Sequence, residues 1–196
     1  TKIKEAMSLI AAAKRPIIYA GGGVINSGDR ASEMLTELVD LTGAPFTLTL
    51  MGLGAVPASH PNFLGMLGMH GTYEANLAMH DCDVMVAIGS RFDDRVTGKI
   101  AAFSPNSKKI HVDIDASSIN KNVLVDIGIV GDVASVLEEM LKVWKANDYK
   151  PDPRAHEEWH RQIAEWRARK CLAFNQSGDI IKPQYAIKRL YELTKD

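Results

Sequence analysis

The sequence predicts an α/β protein built on an open parallel sheet with helices on both faces. Three observations predict it. Short apolar runs rich in β-branched residues alternate with amphipathic helical stripes, the order expected of βαβ units. Those runs are unbroken rather than alternating, as parallel strands covered on both sides require. Almost every run stops at a glycine, where a strand would turn into the next helix.

The elements follow in order. Ile3, Ala6, Met7, Ile10 and Ala11 mark a first helix, and residues 16–20 read as a buried strand ending at Gly21-Gly22-Gly23. Asp29 is expected to cap the next helix, whose stripe is Ala31, Met34, Leu35, Leu38 and Val39. That helix should close near Thr42-Gly43, because glycine permits the left-handed C-terminal turn. Residues 45–50 are the next strand, followed by a glycine-rich loop from 51 to 71, a helix from about 72 to 80, and a strand at 84–88 ending at Gly89. Further strands are expected at 110–114 and 123–130, and Val133, Val136, Leu137, Met140, Leu141 and Trp144 mark a closing helix. Residues 145–153 offer little to bury and carry two helix-stopping prolines, so they read as a linker. Beyond it a charged helix from 155 to about 174 carries Trp159, Ile163 and Trp166 at helical spacing. The expectation is a three-layer, Rossmann-like sheet of about five to six strands in residues 1–145, a linker at 146–155, and a C-terminal helical tail at 156–196.

Composition narrows the function classes. The chain has 196 residues, 46% of them hydrophobic, enough for one well-packed core. Its 23 basic and 24 acidic residues nearly cancel, leaving no general electrostatic attraction to nucleic acid or to an anionic membrane. Two distant cysteines, Cys82 and Cys171, fit neither a disulfide framework nor a thiolate metal site, so a reducing, cytoplasmic setting is expected. No apolar stretch approaches the roughly 20 residues that span a bilayer, and no signal-peptide pattern opens the chain. The missing initiator Met, and a last helical pattern at 190–196 without a glycine cap, lead one to expect a piece of a longer polypeptide.

The candidate sites lie at strand ends. In open parallel sheets ligands settle at the carboxyl ends of strands. The glycine-bearing stretches there are Gly21-Gly22-Gly23, Thr49-Leu50-Met51-Gly52-Leu53-Gly54, Gly89-Ser90-Arg91 and Gly131-Asp132. Without a Cβ, glycine lets a phosphate or sugar approach backbone N–H groups, so the pattern points to a dinucleotide. It is not the usual fingerprint, since Asn26 stands where G-x-G-x-x-G has its third glycine, and a plain strand-to-helix turn is the alternative. Arg91 and Arg95 offer guanidinium groups for phosphates or flat rings, with Asp93 and Asp94 between them; self-paired surface charges are the alternative. Asp113 suits a ribose hydroxyl or an adenine amino group, or else a helix cap. His156-Glu157-Glu158-Trp159-His160 satisfies the zinc-protease spacing H-E-x-x-H, but no convincing third ligand follows, and that reading is set aside. His60, His70 and His80 form no cluster, and no G-x-S-x-G elbow occurs.

The stretches Tyr19 to Gly23, Gly65-Met66-Leu67-Gly68-Met69-His70-Gly71-Thr72, Gly89-Ser90-Arg91-Phe92-Asp93-Asp94-Arg95-Val96-Thr97-Gly98 and His111-Val112-Asp113-Ile114-Asp115 occur in an order that resembles the central domain of acetohydroxyacid synthase (acetolactate synthase) large subunits. The likeness covers roughly residues 1–145. It implies a thiamine diphosphate-dependent transferase of branched-chain amino-acid biosynthesis. That enzyme condenses pyruvate with pyruvate or 2-oxobutanoate, and its FAD has a structural part on this domain. By the same resemblance, Gly21, Gly22 and Gly23 would lie near the ribityl and phosphate chain, and Thr49, Leu50, Leu67, Gly68, Met69 and His70 beside the isoalloxazine. Gly89, Ser90, Arg91, Asp93, Arg95 and Val96 would continue the cradle, with Asp113, Ile114, Asp132 and Val133 at the adenosine end. Asp113 stands where the family often has Glu, and Ser90 where it often has Ala.

The family's magnesium motif opens with Gly-Asp-Gly, whereas Gly28-Asp29, Gly131-Asp132 and Gly178-Asp179 lack the second glycine. Thiamine diphosphate and Mg are therefore expected on other domains, this chain is expected to carry no catalytic or metal-ligating residue, and alone it should be inactive. A dimer or tetramer of the catalytic subunit with a regulatory subunit, and neither nucleic acid nor membrane, completes the implication. The rival readings are the central domain of another thiamine-dependent carboligase, oxidase or decarboxylase, and a non-catalytic nucleotide-binding module.

Overall fold

The structure, a computed structural model, describes residues 1–194. The end of the helical pattern expected at 190–196, Lys195 and Asp196, lies outside the described residues. Five strands form one parallel sheet: β1 (Pro16–Ala20), β2 (Phe46–Leu48), β3 (Val84–Ile88), β4 (Lys108–Asp113) and β5 (Ile127–Val130), in the order β2-β1-β3-β4-β5. The chain leaves β1 for β2 on one side and returns to β3 on the other. A crevice therefore opens between the carboxyl ends of β1 and β3, where the winding reverses. Register keeps that rim level: Ala20 lies beside Leu48 and Ile88, and Ile88 beside Val112.

Side chains alternate across a strand, so an unbroken apolar run must fill two cores at once. Ile18, Ala20, Val86, Ile88, Ile110 and Val112 face the core closed by α1 (Lys2–Ala12), α3 (Asp29–Thr42) and α6 (Val133–Ala146). Ile17, Tyr19, Met85 and Ala87 face the other core, closed by α4 (Tyr73–Asp81) and α7 (Pro153–Arg167). The α3 helix ends as expected at Gly43, in the left-handed conformation at φ 63°. Trp159 of α7 is buried and donates its indole N–H to the Pro16 carbonyl at 3.1 Å, while Ile163 packs in the same cluster. Burying one such large side chain is worth about 1.5–3 kcal/mol, which fastens α7 to the sheet.

Several boundaries differ from the sequence expectation, among them β4, which runs Lys108–Asp113 rather than 110–114. Gly28, at φ 92°, is the N-cap of α3; Asp29 is its first helical residue and serves the helix dipole instead. Strand β2 stops at Leu48 because the Thr49 hydroxyl accepts the Gly52 amide and starts a tight 3₁₀ turn at Leu50–Gly52. Strand β5 starts only at Ile127; ahead of it the Val125 amide is taken by the Asn120 side chain at 2.8 Å, in a turn whose Asn120 has φ 61°. Helix α7 ends at Arg167 rather than near 174, and Lys170 at φ 49° turns the chain away. Two short helices, α2 (Gly22–Asn26) and α5 (Asp94–Thr97), belong to the rim, and α8 (Pro183–Thr194) follows α7 with no buried residue.

Candidate functional site

The crevice at the rim is a cleft of about 640 Å³, within the range of ligand pockets. Its floor is a crossing of two backbones. Gly23 donates its amide to the Gly89 carbonyl at 2.9 Å, and a Cβ on Gly23 would stand 2.6 Å from the Gly89 Cα. Gly89 itself has φ 56°, a conformation glycine adopts without strain. The Gly21 amide goes to the Ile88 carbonyl and the Gly89 amide to the Val112 carbonyl. The sequence suggests that these glycines offer N–H groups to a ligand. The structure corrects this for Gly21, Gly23 and Gly89: their amides lock the loops together, and their missing side chains let the loops touch.

The loop after β3 carries the charges. The Ser90 hydroxyl donates to the Tyr19 carbonyl at 3.1 Å, and the Tyr19 phenol donates to the Arg91 carbonyl at 3.2 Å. Burial pushes the Tyr19 phenol well above its ordinary range, so it stays a donor. His111 is fully buried beneath the loop with Nε2 2.9 Å from the Ser90 carbonyl. Burial lowers its pKa, which leaves a neutral ring with Nε2 protonated toward that acceptor. Asp93 caps α5 by accepting the Arg95 amide at 2.9 Å, and this bond holds its carboxyl below the usual range. The loop leaves the Arg91 and Arg95 side chains exposed, and both line the cleft.

The two ends of the cleft differ in chemistry. At the polar end, Asp132 caps α6, accepts the Ser27 hydroxyl at 2.7 Å and takes the Ser135 amide at 3.2 Å. The Ser27 hydrogen bond is the main reason its carboxyl titrates low. Asp113 is buried beside it and accepts the Asp115 amide at 2.8 Å, so one carboxylate both turns the chain after β4 and lines the cleft. At the other end Leu50, Met51, Met66, Leu67 and Val96 present an apolar wall, with His70 at its edge.

Residues 3–140 match the family model described as thiamine pyrophosphate enzyme, central domain. The chain belongs to this family. Acetolactate synthase isozyme 3 large subunit of Escherichia coli (strain K12) is 47% identical over 194 residues, 99% of this chain and 33% of that protein. The acetolactate synthase large subunit of Haemophilus influenzae is 46% identical over 194 residues, again 99% of this chain and 33% of that protein. A probable acetolactate synthase large subunit of Methanocaldococcus jannaschii is 46% identical over 195 residues, all of this chain and 32% of that protein. This central domain thus spans about a third of the length of these relatives.

Of the residues that the resemblance assigns to the cofactor, all but Gly21, Gly68 and Met69 line the cleft of this central domain. Gly21 sits buried beneath the floor against the Gly89 carbonyl. Gly68 and Met69 brace the wall from outside: Gly68 exchanges two hydrogen bonds with the Asn76 side chain, and the Met69 amide donates to the Arg95 carbonyl at 2.8 Å. The cleft is also lined by Tyr19, Met51 and Met66, which lie inside the quoted stretches but were given no ligand role, and by Asn26 and Ser27, which lie just outside them. For Asn26 and Ser27, proximity to the Gly21-Gly22-Gly23 strand end was the one signal available.

The H-E-x-x-H histidines share a face of α7, their rings 6.5 Å apart, but His160 Nε2 bonds the Gly43 carbonyl at 2.8 Å and Glu157 is exposed. Among the described residues no group of three or more His, Cys, Asp or Glu is placed to hold a metal ion. Among the same residues no helix is long and apolar enough to cross a membrane.

Proposed function

We propose that this central domain holds FAD in the cleft and forms part of the catalytic subunit of an acetolactate synthase, a cytoplasmic thiamine diphosphate-dependent transferase. The observation that carries the reading is the cleft's two-ended chemistry. A dinucleotide of adenosine, diphosphate and flavin needs acceptors at one end, positive charge in the middle and an apolar wall at the other. Asp113 and Asp132 supply the first, Arg91 and Arg95 the second, and Leu50, Met51, Met66 and Leu67 the third. The residues present therefore fit the group.

In this reading Asp113 and Asp132 accept hydrogen bonds from ribose hydroxyls or the adenine amino group. Arg91 and Arg95 neutralise the diphosphate, and a guanidinium suits a phosphate fork. The crossing of Gly23 and Gly89 keeps the floor flat enough for a backbone-hugging ligand, while the apolar wall excludes water from the ring. Bound FAD supplies a rigid scaffold rather than net redox chemistry. In the full-length protein, thiamine diphosphate and Mg lie on other domains and pyruvate condenses with pyruvate or 2-oxobutanoate. Catalytic subunits pair as dimers or tetramers and take a regulatory subunit; that relatives are named large subunits supports the second of these. Residues 1–145 form the cradle, and 156–196 lead toward a following domain.

Titration of FAD into the 196-residue chain, followed by flavin fluorescence, tests the reading. One equivalent bound with quenching is expected, FMN binding more weakly because it lacks the adenosine end. Equal affinity for ADP and FAD would favour the plain nucleotide-binding module, and acetolactate formed from pyruvate by this chain alone would defeat the assignment of catalysis to other domains.

A further inference from the structure

Three successive backbone carbonyls in the loop after β3 are each held by a side chain from elsewhere in the chain. His111 Nε2 takes the Ser90 carbonyl at 2.9 Å, the Tyr19 hydroxyl the Arg91 carbonyl at 3.2 Å, and Asn122 Nδ2 the Phe92 carbonyl at 2.6 Å. The donors come from β4, from β1 and from the turn before β5, so the loop is tied to two strands and a turn. The Phe92 side chain is fixed as well: it is 4% exposed, its ring edge-on to His111 at 5.0 Å and tilted against Tyr19 at 6.2 Å. Tyr19 and His111 are themselves fully buried, so neither donor can follow a moving loop. Of residues 90–92, whose carbonyls are held, only Arg91 has an exposed side chain, and it lines the cleft.

We infer that Tyr19, His111 and Asn122 form a carbonyl clamp that fixes the backbone of residues 90–92 before any ligand arrives, and so presents Arg91 to the phosphates of a dinucleotide. The second half rests on the FAD reading above; the first half does not. A flexible arginine loses conformational entropy when it grips a ligand, and pinning its backbone removes part of that cost in advance. The three are positioning residues, acting through Arg91 rather than by touching the ligand's reacting atoms.

Two measurements on the 196-residue chain test this. In the ligand-free protein, hydrogen exchange of the peptide spanning residues 89–98 should quicken about fivefold or more in Y19F/N122A, with the β4 peptide unchanged. Exchange as slow as in the unaltered protein overturns the clamp whether or not FAD binds. In FAD titrations the same double variant should bind about tenfold more weakly, two neutral hydrogen bonds being lost, whereas on top of Arg91→Ala it should cost nothing further. An equal loss in both backgrounds overturns the action through Arg91 and leaves a general structural effect. His111→Gln, which keeps a donor, should bind more tightly than His111→Phe; the reverse order counts against the clamp, and Asn122→Ala alone serves should Y19F/N122A fold poorly. Failure of the unaltered chain to bind FAD removes the reading of the preceding section and the ligand half of this one, while the exchange result still decides the clamp.

Discussion

The Gly23 amide and the Gly89 carbonyl meet at 2.9 Å, a contact that sets the depth of the cleft because two loops from neighbouring strands touch there backbone to backbone. A methyl on Gly23 would fall 2.6 Å from the Gly89 Cα, where no flexible side chain can yield. Gly23→Ala should therefore destabilise the domain by about 1–3 kcal/mol, the usual cost of overpacking. Urea denaturation checks it. A midpoint unchanged from the parent protein would mean that the loops separate freely.

Thr72 does two jobs with one hydroxyl, donating to the Leu64 carbonyl at 2.5 Å and accepting the Ala75 amide at 3.2 Å as the N-cap of α4. Thr72→Val keeps the shape and removes both bonds in a buried setting. A loss of about 1–3 kcal/mol is expected. Chemical denaturation at constant pH measures it, and because the change lies behind the wall, FAD affinity should move less than stability does.

Acid should loosen the domain before its carboxylates titrate. Burial holds the imidazoles of His111 and His156 below their ordinary value, and at His156 the neighbouring His160 adds to the effect while the Ala13 carbonyl opposes it. The unfolded chain then binds protons first, so stability rises with pH in this window. The contribution is complete above about pH 6.5, the unfolded histidine value, and is lost progressively below it. Asp115, Asp126 and Asp132 are shifted low as well, but their unfolded value lies near about 3.9, outside that range. Urea midpoints at pH 7, 6 and 5 should fall steadily, and His156→Gln should flatten the slope. A slope identical in the variant would assign the acid sensitivity elsewhere.

Arg91 should matter for its shape as much as for its charge. Arg91→Ala is expected to weaken FAD binding about tenfold or more, the scale of one charge-assisted hydrogen bond. Arg91→Lys should recover only part of it, since an ammonium cannot fork onto two phosphate oxygens. Full recovery by lysine would reduce the role of Arg91 to simple charge. Isothermal titration at two salt concentrations separates the two.

Much of the framework is legible in the sequence. The stripes of α1, α3 and α6 and the runs of β1 and β3 follow local periodicity, which neighbouring residues impose on one another. Boundaries are less so. Whether Gly28 or Asp29 caps α3 depends on a backbone angle of φ 92°, and where α7 stops depends on Lys170 turning left-handed, neither of which leaves a pattern in the letters. In the candidate site, the glycine and arginine motifs announced themselves, whereas Tyr19, Ser27 and Asn122 did not. A tyrosine that donates to a carbonyl 72 positions away looks the same in sequence as one that merely fills a core.

By itself the sequence determined the alternation of strands and helices, the two-sided burial of the strands, and the set of glycines and arginines at the strand ends, because these follow from local geometry and from where apolar side chains can be buried. Tertiary structure alone decided the strand order β2-β1-β3-β4-β5, that the amides of Gly21, Gly23 and Gly89 bond to protein carbonyls, and that the Arg91 loop is held by three distant donors. Hydrogen bonds and backbone crossings form between residues brought together by the whole sheet, so their partners exist only once the strands have taken their order.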